Sequence, residues 1–383
     1  MRALALCTWT LALLALLAPP HARAQESLRP EITKLERLPQ AQRPRLPELV
    51  AQLRRQARDT SDEQFDLLFL LAMHYAGERQ RAALEGLEHE FSPWRRASEA
   101  PLRMLGETAW ALAWTSFHMR SGHLQLARQE IDSLKSDSLG ELPLKWRYRE
   151  RRLRAAVLEQ VGQLDDALLL RLDAVRLGAQ SAEVWRHAAA LGSLSYTYVR
   201  AGQHDKAVEA AKEAMQIAET IPDDHDAQAG AYLTLALAQA DEPDPLPSRR
   251  AYERSLHHAR LAGDESLQAL LLGNLSDTHL RAGDFARALA LAQECMPLAE
   301  RLKDEETVLL ALHNMGLAKI GLKRLAEGKA DVLKAISIER QNGATTSVSE
   351  GWAELGQYLE RAGDFAGAMQ AYEEHRRIAD TLT

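Results

Sequence analysis

A reaction would have to start at histidine, carboxylate, serine or cysteine, so those residues come first. His257-His258 offers two imidazoles to a metal, but neighbours on a helix point about 100° apart and diverge from a common ion. His118 and His123 fall on either side of an expected helix end. Glu373-Glu374 is a carboxylate pair on what reads as a solvated helix face. Asp223-Asp224-His225-Asp226 and Asp241-Glu242-Pro243-Asp244 are acidic loops that could attract a cation. They lack the ligand spacing of an EF-hand and are expected to be solvated turns. Gly263-Asp264-Glu265 runs into Ser266 and does not form a Gly-Gly-Asp-Glu-Phe signature. No His-Glu-x-x-His, no Gly-x-x-x-x-Gly-Lys loop and no Gly-x-Ser-x-Gly elbow occurs. The reading is a chain that is not an enzyme, with no catalytic residues, no metal ligands and no cofactor.

Whatever recognition the chain performs must then come from the elements that hold its side chains. The 383 residues are 46% hydrophobic, 26% charged and 5% aromatic. Ala and Leu dominate, and strand-favouring residues are sparse, which predicts helix throughout. The 47 Lys and Arg against 54 Asp and Glu give a net charge of −7. That balance argues against nucleic acid or an anionic membrane surface as the main partner. Residues 1–24 read as an export signal: Arg2, an apolar run from Ala3 to Ala18, Pro19-Pro20, and a small-x-small site at Ala22-Arg23-Ala24. Cleavage there would bring the charge to about −9. It would leave Cys295 as the one thiol, with no intramolecular disulfide possible. No later stretch approaches the ~18 apolar residues of a membrane span. The expected address is outside the cytoplasm, in the periplasm.

Internal repetition is the main signal. Arg-Ala-Gly-Gln-His-Asp-Lys-Ala (200–207), Arg-Ala-Gly-Asp-Phe-Ala-Arg-Ala (281–288) and Arg-Ala-Gly-Asp-Phe-Ala-Gly-Ala (361–368) are variants of one phrase. Their glycines join Gly122 and Gly162 in a series separated by 40, 40, 81 and 80 residues. Degenerate units turning at Pro243 and Lys323 fill the gaps, and an earlier unit is expected to turn at Gly77. Two columns hold only small residues. Five residues past each turn lie Ala127, Ala167, Ala207, Ser248, Ala288, Gly328 and Ala368. Seven residues before it lie Thr115, Ala155, Ser195, Ala236, Ser276, Gly316 and Gly356. Small side chains let two helices approach closely, so each unit is a helical hairpin. A third column, from Leu134 and Ala174 through Cys295 to His375, is expected to pack on the following repeat. Arg120, Arg200, Arg281 and Arg361 stand where a cation meets the negative end of the first helix. A basic ladder along one face is the other reading.

Ala-Glu-Leu-Gly-Gln-Tyr-Leu-Glu-Arg-Ala-Gly-Asp-Phe-Ala-Gly-Ala-Met-Gln-Ala-Tyr (353–372) resembles the tetratricopeptide repeat, as does 273–288. The period of 40 rather than 34 is similar to the MalT-like variant of that family. The resemblance covers roughly residues 65–383. It implies an all-α, right-handed superhelical solenoid of about 7–8 antiparallel hairpins. The expected organisation is a signal over 1–24, a polar linker and capping helix over 25–60, and the solenoid over 61–383. The linker runs to a helix from about Pro47 to Arg58.

In that family the first helices line the concave side and touch the ligand. Carried onto this chain, the positions are Arg152, Tyr196, Arg200, Asn274, Asp277, His313, Asn314 and Gln357. Asn274 and Asn314 occupy equivalent places in adjoining repeats and could form an amide pair gripping a peptide backbone. A capping or intrahelical role is equally open to them. The expected partner is a protein or peptide, with no nucleic acid. The closing phrase through Thr383 resembles the last repeat of exported sensors joined to diguanylate cyclases. The alternative is therefore the input half of such a signalling protein, with a membrane partner only if a further span follows.

Overall fold

The computed structural model describes residues 28–38, 40–56, 62–134, 140–240, 242, 244–341 and 345–381. The expected export signal and the expected turn at Pro243 lie outside them. A short helix α1 (Arg29–Glu36), a 3-10 turn (Gln40–Arg45) and α2 (Leu46–Arg54) come first. Eight helical hairpins follow. They are α3 (Asp62–Gly77) with the split pair α4 (Arg81–Gly86) and α5 (Glu88–Arg95); α6 (Ala100–Arg120) with α7 (Leu124–Asp132); and α8 (Leu144–Gln160) with α9 (Leu164–Ala179). Next are α10 (Val184–Arg200) with α11 (His204–Glu219), α12 (His225–Ala238) with α13 (Leu246–Ala262), and α14 (Glu265–Arg281) with α15 (Phe285–Leu302). The last two are α16 (Glu305–Gly321) with α17 (Leu325–Gln341), and α18 (Thr345–Ala362) with α19 (Phe365–Ala379). No strand occurs among the described residues. The architecture is the all-α solenoid of stacked hairpins that the repeats imply.

The hairpin turn works through backbone conformation. Gly122, Gly162, Gly202, Gly283 and Gly363 all have φ between 68° and 89°, the left-handed region that ends a helix without a Cβ clash. Lys323 takes the same conformation at φ 65° in the degenerate unit. The first turn corrects the sequence reading: α3 runs to Gly77, and the left-handed residue is Arg79 at φ 56°. The Asp that follows Gly in this phrase is a helix N-cap. Asp284 and Asp364 accept from the backbone N–H of Arg287 and Gly367, as Asp224, Asp264 and Asp304 do for Ala227, Leu267 and Thr307.

The two small columns meet each other across the hairpin. Ser195 Oγ donates to the Ala207 carbonyl at 2.7 Å, Ser248 Oγ to Ala236 at 2.8 Å and Ser276 Oγ to Ala288 at 2.9 Å. Where both positions are glycine the backbones nearly touch: a Cβ on Gly316 would lie 2.8 Å from the Gly328 carbonyl oxygen. Arg154 breaks the column of large apolar residues beside them because it is spent on Glu150, Asp132 and the Ile131 carbonyl. Three members of the third column bond within their own hairpin: Ser255 Oγ to the Ala229 carbonyl, Cys295 Sγ to that of Ala269 and His375 Nδ1 to that of Ser349. Ala214 and Cys295 also share buried apolar clusters with Ala231 and Ala311 of the following units. Burial raises the Cys295 thiol to about 11, so it is a packing residue rather than a nucleophile.

Successive first helices pack directly on one another along most of the stack, as in α10 on α12, α14 on α16 and α16 on α18. Among the described residues no successive second helices pack as closely. The first helices therefore form the inner, concave layer and the second helices the outer one.

Candidate functional site

Residues 28–38, within the stretch expected to be a polar linker, lie along the inner layer. The Leu28 N–H donates to Glu63 Oε1 at 2.8 Å. Arg29 pairs at 2.5 Å with the buried Asp66, which also receives Lys145 Nζ at 2.6 Å. Leu28 and Ile32 are buried against the core of the first hairpins, with Leu35 and Leu38 packed partly against it. One helical turn on, Glu36 accepts from two different first helices: Arg149 Nη2 of α8 at 2.5 Å and Arg186 Nη2 of α10 at 2.8 Å. Arg37 then forms an ion pair with Asp224 ahead of α12, and the 3-10 turn reaches α14. Residues 28–38 and 40–45 thus form a strap laid along the inner layer from the first hairpin to the sixth.

Asp224 departs from the solvated-loop reading. It is 4% exposed, held by Arg37 on one oxygen and capping α12. Asp226 beside it is desolvated, which pushes its carboxyl above the usual value, with Arg37 opposing.

Two cavities flank the strap. One of about 680 Å³ lies between α10, α12 and α14, lined by Trp185, Ala189, Tyr196, Asp226, Thr234 and Asp264. The other, about 450 Å³, is lined by Phe69, Met73, Tyr148, Arg149, Arg152 and Arg186. Glu36, Arg171, Trp185 and Ser193 face both. Arginines are stacked on aromatic rings throughout. The Arg149 guanidinium lies 4.7 Å from the Phe69 centroid and 4.8 Å from that of Trp146, Arg186 4.9 Å from Trp185, and Arg152 5.5 Å from Tyr148. A planar guanidinium packs well on a ring and keeps its edge donors free for a carboxylate. Arg171 is already satisfied: its Nε and Nη2 hold the two oxygens of Glu159 at 2.9 and 2.8 Å. Burial lowers the Arg149 guanidinium from its ordinary value, and Glu36 acts against that shift.

The sequence-derived positions divide in this frame. Arg152 lines the smaller cavity and Tyr196, 46% exposed, the larger one. Arg200 Nη1 donates to the Glu159 carbonyl at 3.1 Å, so it caps the end of the preceding first helix. Asn314 is buried, and its Nδ2 donates to the Gly273 carbonyl at 3.0 Å. It stitches α16 to α14, so the amide pair with Asn274 does not form. Asn274 is half-buried, its carbonyl accepting from Thr278 Oγ1 at 2.8 Å. Asp277 and His313 belong to a separate group nearer the C-terminal hairpin. Asp277 pairs with Arg281 at 3.1 Å and His313 Nε2 sits 2.8 Å from Glu354 Oε2. Burial raises the Asp277 carboxyl, and it lifts the nearby Tyr358 hydroxyl to about 12. Gln357 is exposed on α18. The basic ladder does not form: Arg281 is held by Asp277, and Arg361 lies over the Tyr358 ring at 5.6 Å.

Sequence reasoning missed Arg149, Arg171, Arg186, Glu36 and Trp185. The arginine density of Trp-Arg-Tyr-Arg-Glu-Arg-Arg-Leu-Arg (146–154) was the available signal for the first of these. Among the described residues no group of three or more His, Cys, Asp or Glu is placed to hold a metal. No helix there is long and apolar enough to cross a membrane.

Tetratricopeptide repeat models match residues 187–225, 269–302 and 309–342. No curated protein matches the chain. Among solved structures it is similar to a Rap protein complexed with Competence and Sporulation Factor, at 12% identity over 94% of this chain and 99% of that one, TM-score 0.60. It is also similar to the apo form of the quorum sensor NprR from B. thuringiensis, at 12% identity, 83% and 99% coverage, TM-score 0.53. NprR in complex with its cognate peptide NprX gives 14% identity, 81% and 88% coverage, TM-score 0.52. At such identities the likeness speaks to the fold.

Proposed function

We propose that the chain is a non-catalytic receptor that binds a peptide, or a peptide-like segment of a protein, in the channel formed by its first helices. The observation that carries this reading is the strap: the inner layer already accommodates a run of polypeptide, with 680 and 450 Å³ cavities beside it. The peptide complexes named for the similar Rap and NprR structures support it. We place the receptor outside the cytoplasm on the strength of residues 1–24; recovered periplasmic protein should begin at Gln25, and an intact Met1 on cytosolic material would contradict that address.

The binding test is selection of peptides from a displayed library on the full chain, followed by two variants. Ala189→Trp fills the larger cavity and should weaken the selected peptides at least ~10-fold, about 1.4 kcal/mol. Leu169→Ala, on the exposed outer helix α9, should leave them unchanged. Equal loss in both, or in neither, would remove the channel as the site.

A further inference from the structure

Resting on the channel as a peptide site, we propose that Arg149 and Arg186 are its carboxylate-receiving pair. Glu36 occupies the pair as an internal stand-in, and the external ligand is a peptide that displaces the strap by placing its own acidic side chain between the two arginines. Three observations converge on this. First, one carboxylate bridges two guanidiniums from different hairpins, across 113 and 150 residues of sequence. Its side chain is 10% exposed and that of Arg186 3%. Two neighbouring buried pairs, Arg171–Glu159 and Arg154–Glu150, join residues of a single hairpin. They belong to the framework, whereas Glu36 arrives on a segment that lies across it.

Second, the site holds more donors than Glu36 can satisfy. Arg149 Nη1, Arg152 Nε, Arg186 Nε and Trp185 Nε1 are buried without a hydrogen-bond acceptor from the protein, although Glu183 Oε2 comes within 3.5 Å of Arg186 Nε. A carboxylate has two oxygens, and both are already used. An extended peptide presents backbone carbonyls on either side of an acidic side chain. It therefore fills donors that a bare anion or the present strap leaves idle. Third, the two cavities open on both sides of Glu36, so a longer occupant has room to continue.

Charge sets the selectivity. Removing Glu36 without replacement strands two buried guanidiniums, which is costly in a desolvated site. A peptide with no carboxylate to set between the two arginines cannot take the strap's place, and one that carries it can. Because the strap is tethered, it competes at a high effective concentration and lowers the apparent affinity of every external ligand.

The test uses the full chain and a labelled synthetic peptide of residues 28–45 added in trans. Glu36→Gln keeps the shape of the strap's side chain and removes its charge, so the strap loosens. The labelled peptide should bind the Glu36→Gln chain at least ~10-fold more tightly than wild type. Tryptic cleavage after Lys34, Arg37 and Arg45 should accelerate in that chain while its helical circular dichroism is unchanged. Adding Arg149→Ala and Arg186→Ala to Glu36→Gln should abolish the gain, and a peptide carrying Glu36→Gln should not bind. Equal affinity for wild-type and Glu36→Gln chains, or binding that survives loss of both arginines, would overturn the proposal. So would binding to no chain. Library peptides that still respond to Ala189→Trp but not to Glu36→Gln would sink the stand-in and leave the channel reading intact.

Discussion

Gly316 and Asp364 show how much a single residue contributes to this fold. Gly316 sits where two first-layer and second-layer backbones pass: an added Cβ would meet the Gly328 oxygen at 2.8 Å and the Val332 nitrogen at 2.9 Å. Neither atom can swing away, so Gly316→Ala should destabilise by ~1–3 kcal/mol in denaturant unfolding. An unchanged midpoint would mean that hairpin is looser than described. Asp364 acts through charge. The Gly367 N–H, followed by Lys329, holds its carboxyl below the ordinary value. A lowered folded pKa gives stability that is present above the unfolded value of about 4 and disappears as pH falls through the folded one. The melting-temperature gap between wild type and Asp364→Ala should therefore be widest near neutrality and close as pH falls below the ordinary carboxyl value. A gap that widens in acid contradicts the assignment. The small columns could be read from residue types alone, because close packing leaves the same mark in every unit. The Arg149–Glu36–Arg186 bridge could not, since its partners are non-local and nothing repeats.

At the scale of elements, turn and cap are separable devices. The Gly-Asp of the repeated phrase ends one helix with a left-handed residue and starts the next with a side-chain cap. Helix α15 ends instead on Lys303, a left-handed residue at φ 55°, where α13 ends on Gly263 at φ 69°. A side chain in that region costs roughly 1–2 kcal/mol. Lys303→Gly should then raise stability by up to ~1 kcal/mol after the added freedom of the unfolded chain is offset. A lower melting temperature would show that Lys303 makes a contact that outweighs its strain. Helix periodicity exposed every hairpin to sequence reading. It failed at α1, which has eight residues, Pro30 in its first turn and few apolar side chains. Helices that short are marginal in isolation. Tertiary contacts with Glu63, Asp66, Arg149 and Arg186 hold this one in place. The first turn was misplaced for a related reason: Arg79 supplies the left-handed conformation two residues beyond the glycine that looked suited to it.

For the whole molecule, eight stacked hairpins give one inner surface, and the question is what that surface holds. Stacking each hairpin on its neighbours is a local rule, so the solenoid followed from the repeat. The occupant did not, because it depends on how a segment outside the pattern folds back across six hairpins. The most direct measurement is hydrogen exchange on the full chain with and without excess peptide 28–45. Exchange should speed up in the chain's own residues 28–38, while the inner helices 184–200 and 225–238 keep the protection the strap already gives them and the outer helices 204–219 and 246–262 stay unchanged. Protection confined to the outer helices, with the strap undisturbed, would contradict a ligand channel held by its own N-terminal segment.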